Sequence, residues 1–280
     1  MHALLKNGIT RFTQILILLF VSFCIAPRMI LSIEEQNNAQ DVSPTKTIHT
    51  IHIVPQSHID VVWLWRYDPE TIHRCCKVTF TQALNNMDRF PQYTFCQSQV
   101  PLVEPLEILY PDLYQRIKDY IQKGRWEITG GMYVEAEGGE PSGESWVRQC
   151  VIGKRWFQNK FGVDVTTGWQ PDAWGHPAQL PQILAKSGMN AYLWRRGDVG
   201  GPRNNVHEKM FWWQAPDGSK VWAYRFVDPE DPPYPNWKEN VRVCRERYGI
   251  EDSMIVIGWG DHGGGPSEQD ILATTTGSDL

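Results

Sequence analysis

The stretch 49-HTIHIVPQSHIDVVWLW-65 decides how the rest of the chain is read. Its first six residues read as a strand from their β-branched content, with Ile48 a candidate first residue. His58 and Asp60 follow at the C-terminal end of that strand, just before Trp63 and Trp65. In extended chain, residues two apart point the same way. An imidazole and a carboxylate on one side can share a cation, although a solvated turn with a capping aspartate leaves the same pattern.

The same alternation continues outward. The run 68-DPETIHRCCKVTFTQALNNM-87 reads as a helix, with Asp68 as N-cap and Pro69 at the first helical position. A short strand at 93–98 and a helical run at 102–124 follow, the latter broken by Pro105 and Pro111 and closed by Gly124. Further strands are expected at 126–131, 164–170, 190–195 and 254–258. Helices are expected at 142–162, capped by Ser142, and at 177–188. Two strands around the turn 216-PDGS-219 read as a hairpin insertion. Repeated strand–helix–strand units imply an α/β fold with a parallel sheet and outer helices. A twisted open sheet and a β/α barrel both fit, and in either one ligand chemistry gathers where strands end.

Bulk properties narrow the function. The chain has 280 residues, 41% hydrophobic and 21% charged, which is enough for a sizeable core. A net charge of −5 with no basic block argues against nucleic acid as a partner. All 13 tryptophans lie beyond residue 62. Such density serves either core filling or carbohydrate stacking, where sugar C–H faces meet flat rings. Lys6 and Arg11 precede the uncharged run 15-ILILLFVSFCIA-26, so residues 1–32 read as a signal peptide or membrane anchor and the chain as exported or membrane-anchored. Residues 33–46 read as a polar linker. Six cysteines without a CxxC motif read as buried small hydrophobes, Cys75 and Cys76 among them.

Two further polar clusters stand at strand ends. In 168-GWQPDAWGHP-177, Asp172 and His176 are flanked by Trp169 and Trp174, and Asp172 has the alternative of capping the next helix. His58, Asp60 and Asp172 together supply three N or O ligands of the kind zinc takes. In 257-IGWGDHGGGPSEQD-270, Asp261 and His262 precede three glycines that let backbone approach a ligand. A phosphate-cradling loop is the rival reading. It lacks Gly-Lys-Ser/Thr, and no apolar helix is expected after it.

Taken with 124-GRWEITGGMYVEAEGGEPSGESWVRQ-149 and 193-LWRRGD-198, these clusters resemble glycoside hydrolase family 38, the α-mannosidases, from about residue 49 onward. The resemblance implies a seven-stranded parallel β/α barrel, incomplete at its C-terminus, over residues 47–280. It implies a zinc-dependent, retaining exo-α-mannosidase acting on mannose-containing oligosaccharides. His58, Asp60 and Asp172 look like zinc ligands, and Asp172 also like the nucleophile. Trp63 looks like the platform under the sugar, Asp261 like the general acid/base, and Arg195 or Arg196 like the neighbour of the nucleophile. The family's fourth zinc ligand, a histidine, comes from a later motif, and helical and β-sandwich domains follow. The resemblance is therefore to an amino-terminal portion, with downstream domains or a second chain completing the site. His176 is expected to pack or bond locally. Glu137, Gly139 and His262 stand where the family usually has Asp, Asn and Gly. A metal-dependent carbohydrate deacetylase and a catalytically dead mannose-binding remnant are the alternative readings.

Overall fold

The computed structural model describes residues 29–35, 47–199, 210–226, 237–258 and 260–276. Strand β2 (Thr47–Pro55) is its centre. On one side β2 pairs in parallel with β11 (Asp252–Ile257), setting Ile53 opposite Ile255 and Val54 opposite Val256. The first and last strands expected from the sequence are thus neighbours. On its other side β2 pairs antiparallel with β1 (Met29–Glu35), Met29 opposite Ile53. That strand runs across the boundary between the expected signal and the expected linker, so residues 33–35 form a ladder rather than linker. A polar stretch gains strand character when an unpaired edge beside it offers backbone partners. The remainder of the expected signal or anchor and of the linker lies outside the described residues. Among the described residues, no helix is long and apolar enough to cross a membrane.

Helix α1 begins as predicted. Asp68 Oδ1 accepts a hydrogen bond of 2.8 Å from Thr71 N, and Pro69 opens the first turn at Pro69–Thr71. The helix passes through a π turn at Ile72–Lys77 into Val78–Arg89. After β3 (Phe95–Gln97), prolines divide the next helical run into α2 (Val100–Val103), α3 (Leu106–Leu109) and α4 (Pro111–Gln122). Next come β4 (Trp126–Ile128) and α5 (Gly143–Phe161). Ser142 Oγ caps α5 by accepting from Ser145 N, and the left-handed Gly162 ends it. The order continues with β5 (Thr167–Gln170), β6 (Gly175–His176), α6 (Leu180–Lys186), β7 (Ala191–Trp194) and β8 (Asp198–Val199). It ends with β9 (Met210–Gln214), β10 (Lys220–Arg225), α7 (Trp237–Tyr248), β11 and α8 (Glu268–Thr276).

The described ladders form four mostly parallel sheets, and no ladder closes them into a seven-stranded ring. They do abut. Gln56 bridges to Cys96, joining the ends of β2 and β3, and Gly130 N donates to Thr167 O at 2.9 Å between β4 and β5. One apolar cluster draws Val54, Cys96, Trp169, Leu193, Tyr224 and Val256 from six strands in three sheets. The hairpin expected as an insertion is integral to the wall. β10 pairs antiparallel with β9 but parallel with β7, Ala223 opposite Tyr192. Local pattern finds the turn, while the partner across the sheet comes from distant chain. Trp126, Trp146 and Trp194 are fully buried and fill the core, whereas Trp63 and Trp174 are 62% and 66% exposed. The described cysteines, Cys75, Cys76, Cys96, Cys150 and Cys244, are all free and buried.

Replacing Asp68 with Ala removes the acceptor for Thr71 N. The expected cost is about 1 kcal/mol, or a fall of about 2–4 °C in melting temperature, measured by thermal circular dichroism. No change shows that solvent or backbone replaces the cap.

Candidate metal and active site

The loop after β2 separates its side chains as extended chain demands. Ile59 is fully buried in the core beneath, while His58 and Asp60 stand on the other side with His58 Nε2 3.8 Å from Asp60 Oδ1. The loop after β5 brings in Asp172. Its Oδ1 receives Arg195 Nη2 at 2.5 Å and Arg196 Nε at 3.1 Å. Arg195 Nε is tied to Pro171 O, and the Arg196 guanidinium lies 4.9 Å from the ring centre of Trp174. Asp172 does not cap a helix, because α6 opens later with Gln179 at its N-cap position. One ligand atom each from His58, Asp60 and Asp172 lies within 4.8 Å of the others. That span is close to what one cation touching each at ~2.0–2.2 Å allows.

Sequence reading missed Glu135. Its Oε2 is 2.9 Å from His58 Nε2, and its Oε1 accepts from Asp172 N at 2.8 Å. Glu135 lies seven residues beyond β4, so the strand-end rule that found the other clusters did not reach it. The available signal was its place in the acidic, glycine-rich run 133-YVEAEGGE-140. Glu137 serves as an anchor, with its carboxylate accepting from Trp174 N and Gly138 N. Gly138 is packed so closely that a Cβ would meet the Gly175 carbonyl oxygen at 1.3 Å. Around Gly139, by contrast, a Cβ would meet nothing within 4 Å, so a larger residue fits there.

The third cluster reaches the first through backbone. Asp60 N donates to Asp261 O at 2.6 Å, and Ile59 bridges to His262. Asp261 sits at φ 48°, its exposed carboxylate paired with His262 Nδ1 and outside the trio. A helix, α8, does follow this loop, but its first turn carries the acidic Glu268 and Asp270, so it is not the apolar helix a phosphate loop would need. Ser267 and Asp270 form its reciprocal cap, each side chain accepting from the other's backbone N–H. Gly264 N donates to Thr79 Oγ1 and Gly265 N to Ser57 Oγ, so two amides that a phosphate loop would use are already engaged. His176 is buried and bonds locally, Nδ1 to Tyr192 Oη at 2.7 Å and Nε2 to Arg196 O at 2.8 Å. Trp63 stands exposed on the segment beyond Asp60.

Carboxylate crowding sets the electrostatics. Burial pushes the Asp60 carboxyl up to about 6 against the pull of His58, and the charges of Asp172, Glu135 and Asp261 add to the rise. Burial alone would lower the pKa of His58, but Glu135, Asp60 and Asp172 outweigh it and hold the pKa above its ordinary 6.5. Three acids facing one imidazole and two guanidinium groups form a donor set that a divalent cation suits.

Comparison with known proteins assigns this geometry to a family. Residues 48–274 match the description "Glycosyl hydrolases family 38 N-terminal domain". The chain belongs to family 38. Among curated relatives, Alpha-mannosidase 2C1 of Homo sapiens is 34% identical over 225 residues, covering 79% of this chain and 21% of that protein. Alpha-mannosidase G of Dictyostelium discoideum is 36% identical over 219 residues, covering 76% of this chain and 20% of that protein. The chain thus spans about a fifth of the length of these relatives. An alpha-mannosidase from Enterococcus faecalis V583 shares the fold at a TM-score of 0.64 and 20% identity, over 81% of this chain and 27% of that one.

The direction of both shifts fixes a pH dependence. Asp60 is raised from 3.8 when unfolded to about 6 when folded, so the folded state binds the extra proton. Its contribution to stability is full below 3.8 and is lost as pH rises through about 6; the raised pKa of His58 acts in the same direction. With chelator present, Asp60→Asn is expected to lose less melting temperature between pH 5 and pH 7.5 than the parent. Parallel pH profiles for the two proteins contradict the assigned crowding.

Proposed function

We propose that this chain carries the metal-holding part of the active centre of a zinc-dependent, retaining exo-α-mannosidase, acting on terminal mannose of glycans. The observation that carries the proposal is the convergence of His58, Asp60 and Asp172 from two strand ends, with Arg195 and Arg196 on Asp172. The activity printed in the names of the relatives supports the substrate class. The abutting strands in the order β11, β2, β3, β4, β5, β7, β10 are read as an incomplete seven-stranded barrel. Further domains or a second chain complete the pocket.

In this reading Asp172 attacks the anomeric carbon while the glycosidic C–O bond breaks. Asp261 gives its proton to the departing oxygen. Water then attacks the mannosyl–Asp172 ester as Asp261 takes back a proton, freeing the carboxylate with net retention. Arg195 and Arg196 pair with Asp172 Oδ1 and fix its direction of attack. Trp63 offers an apolar face to the sugar ring. Zinc held by His58, Asp60 and Asp172 would supply Lewis acidity toward the cis 2- and 3-hydroxyls that distinguish mannose from glucose.

The test is hydrolysis of an aryl α-mannoside, with added zinc, by the chain together with the domains or second chain that complete its pocket, with the first-formed anomer followed by NMR. The expected result is α-mannose, with Asp172→Asn slower by ~10³-fold or more. Acetate release from an acetylated sugar without mannoside hydrolysis would overturn the reading in favour of a deacetylase. Mannose binding without turnover would overturn it in favour of a sugar-binding remnant.

A further inference from the structure

We infer that Glu135 and Gln99 are positioning residues that lock the loops of the metal site into one frame. The inference rests on the metal-site reading above and adds to it two residues outside the ligand set. The Glu135 carboxylate is shared between two loops, with Oε2 on His58 Nε2 beyond β2 and Oε1 on Asp172 N beyond β5. Its own backbone N donates to Gln99 Oε1 at 3.1 Å. The other end of that amide, Gln99 Nε2, donates to Ile59 O at 3.0 Å, between His58 and Asp60. Three of the four contacts close a cycle through the loops that follow β2, β3 and β4, and the fourth ties the loop after β5 to it.

Two features set this apart from routine satisfaction of buried polar groups. Gln99 is a buried non-glycine residue at φ 68°, a strained backbone that only a demanding local structure sustains. Its two side-chain bonds are of the kind that would hold it there. The second feature is which nitrogen Glu135 holds. Nε2 of His58 is also the atom 3.8 Å from Asp60 Oδ1. Glu135 therefore holds the ring with Nε2 on the side of the trio in the metal-free chain, and gives that nitrogen up to an arriving cation, because one ring nitrogen cannot serve both. The hydrogen bond to Asp172 N fixes the backbone of the second ligand in the same way. The bond to Asp172 N remains when a cation is bound, and the Glu135 carboxylate adds negative charge beside it; losing an outer partner of a metal site typically weakens metal binding ~10–100-fold.

The experiment measures the Zn²⁺ dissociation constant of the full chain by competition with a chromogenic chelator, alongside the melting temperature of the metal-free protein. Glu135→Gln keeps the shape of the side chain and removes its charge, and Gln99→Ala removes the amide that holds Glu135. The expected result is affinity lower by ~10–100-fold in Glu135→Gln and lower in the same direction in Gln99→Ala. Metal-free melting temperatures should stay within a few degrees of the parent. If Glu135→Gln does not fold, Gln99→Ala carries the test. Parent affinity in folded variants overturns the inference while leaving the metal site intact. A parent that binds no zinc overturns the metal reading and the inference with it.

Discussion

Everything at the strand ends depends on the crowding of Asp60, Asp172 and Glu135 around His58. Like unit charges about 5 Å apart repel by about 3 kcal/mol at an effective dielectric near 20. A fold with a net stability of about 5–15 kcal/mol does not gather three such groups without compensation. Part of that compensation is visible in the guanidinium groups of Arg195 and Arg196 on Asp172 and the imidazole of His58 on Glu135. The Asp60 carboxyl is pushed up to about 6, first by burial and then by the charges of Asp172, Glu135 and Asp261.

The scaffold is arranged to hold that crowd. The loops after β2 and β5 bring His58 and Asp60 from one and Asp172 from the other to one place. Between them, the segment after β4 packs by backbone contact. Gly138 lies against the Gly175 carbonyl, and Glu137 collects the amides of Trp174 and Gly138. The glycine-rich loop after β11 is fastened to α1 and the β2 loop through Thr79 and Ser57, which seats Asp261 O on Asp60 N. Loops joined in this way position functional groups with the rigidity of the sheet beneath them.

Local chemistry made much of this legible in the sequence. The Asp68 and Ser142 caps, the breaks at Pro105 and Pro111, and the glycine end of α5 are each set by a few neighbouring atoms, and all appear as read. The i, i+2 relation of His58 and Asp60 is equally local, and their proximity follows from it. What was not legible depends on distant chain. β1 pairs with β2 although its own residues read as signal and linker, and β10 belongs to the main sheet through β7 rather than through its own turn. Glu135 is 77 residues from His58 and 37 from Asp172, so no spacing announces it. Helix α8 is the exception, since its reciprocal Ser267–Asp270 cap is local, a Ser-x-x-Asp spacing within the sequence itself.

The central claim is that His58, Asp60 and Asp172 hold a metal ion. The most direct measurement is zinc K-edge X-ray absorption on the zinc-loaded chain. The account predicts a first shell of nitrogen and oxygen at ~2.0–2.2 Å, with outer-shell scattering from one imidazole and no sulfur. A sulfur shell near ~2.3 Å would put the zinc on a cysteine and contradict the claim, as would failure of the chain to retain zinc through dialysis.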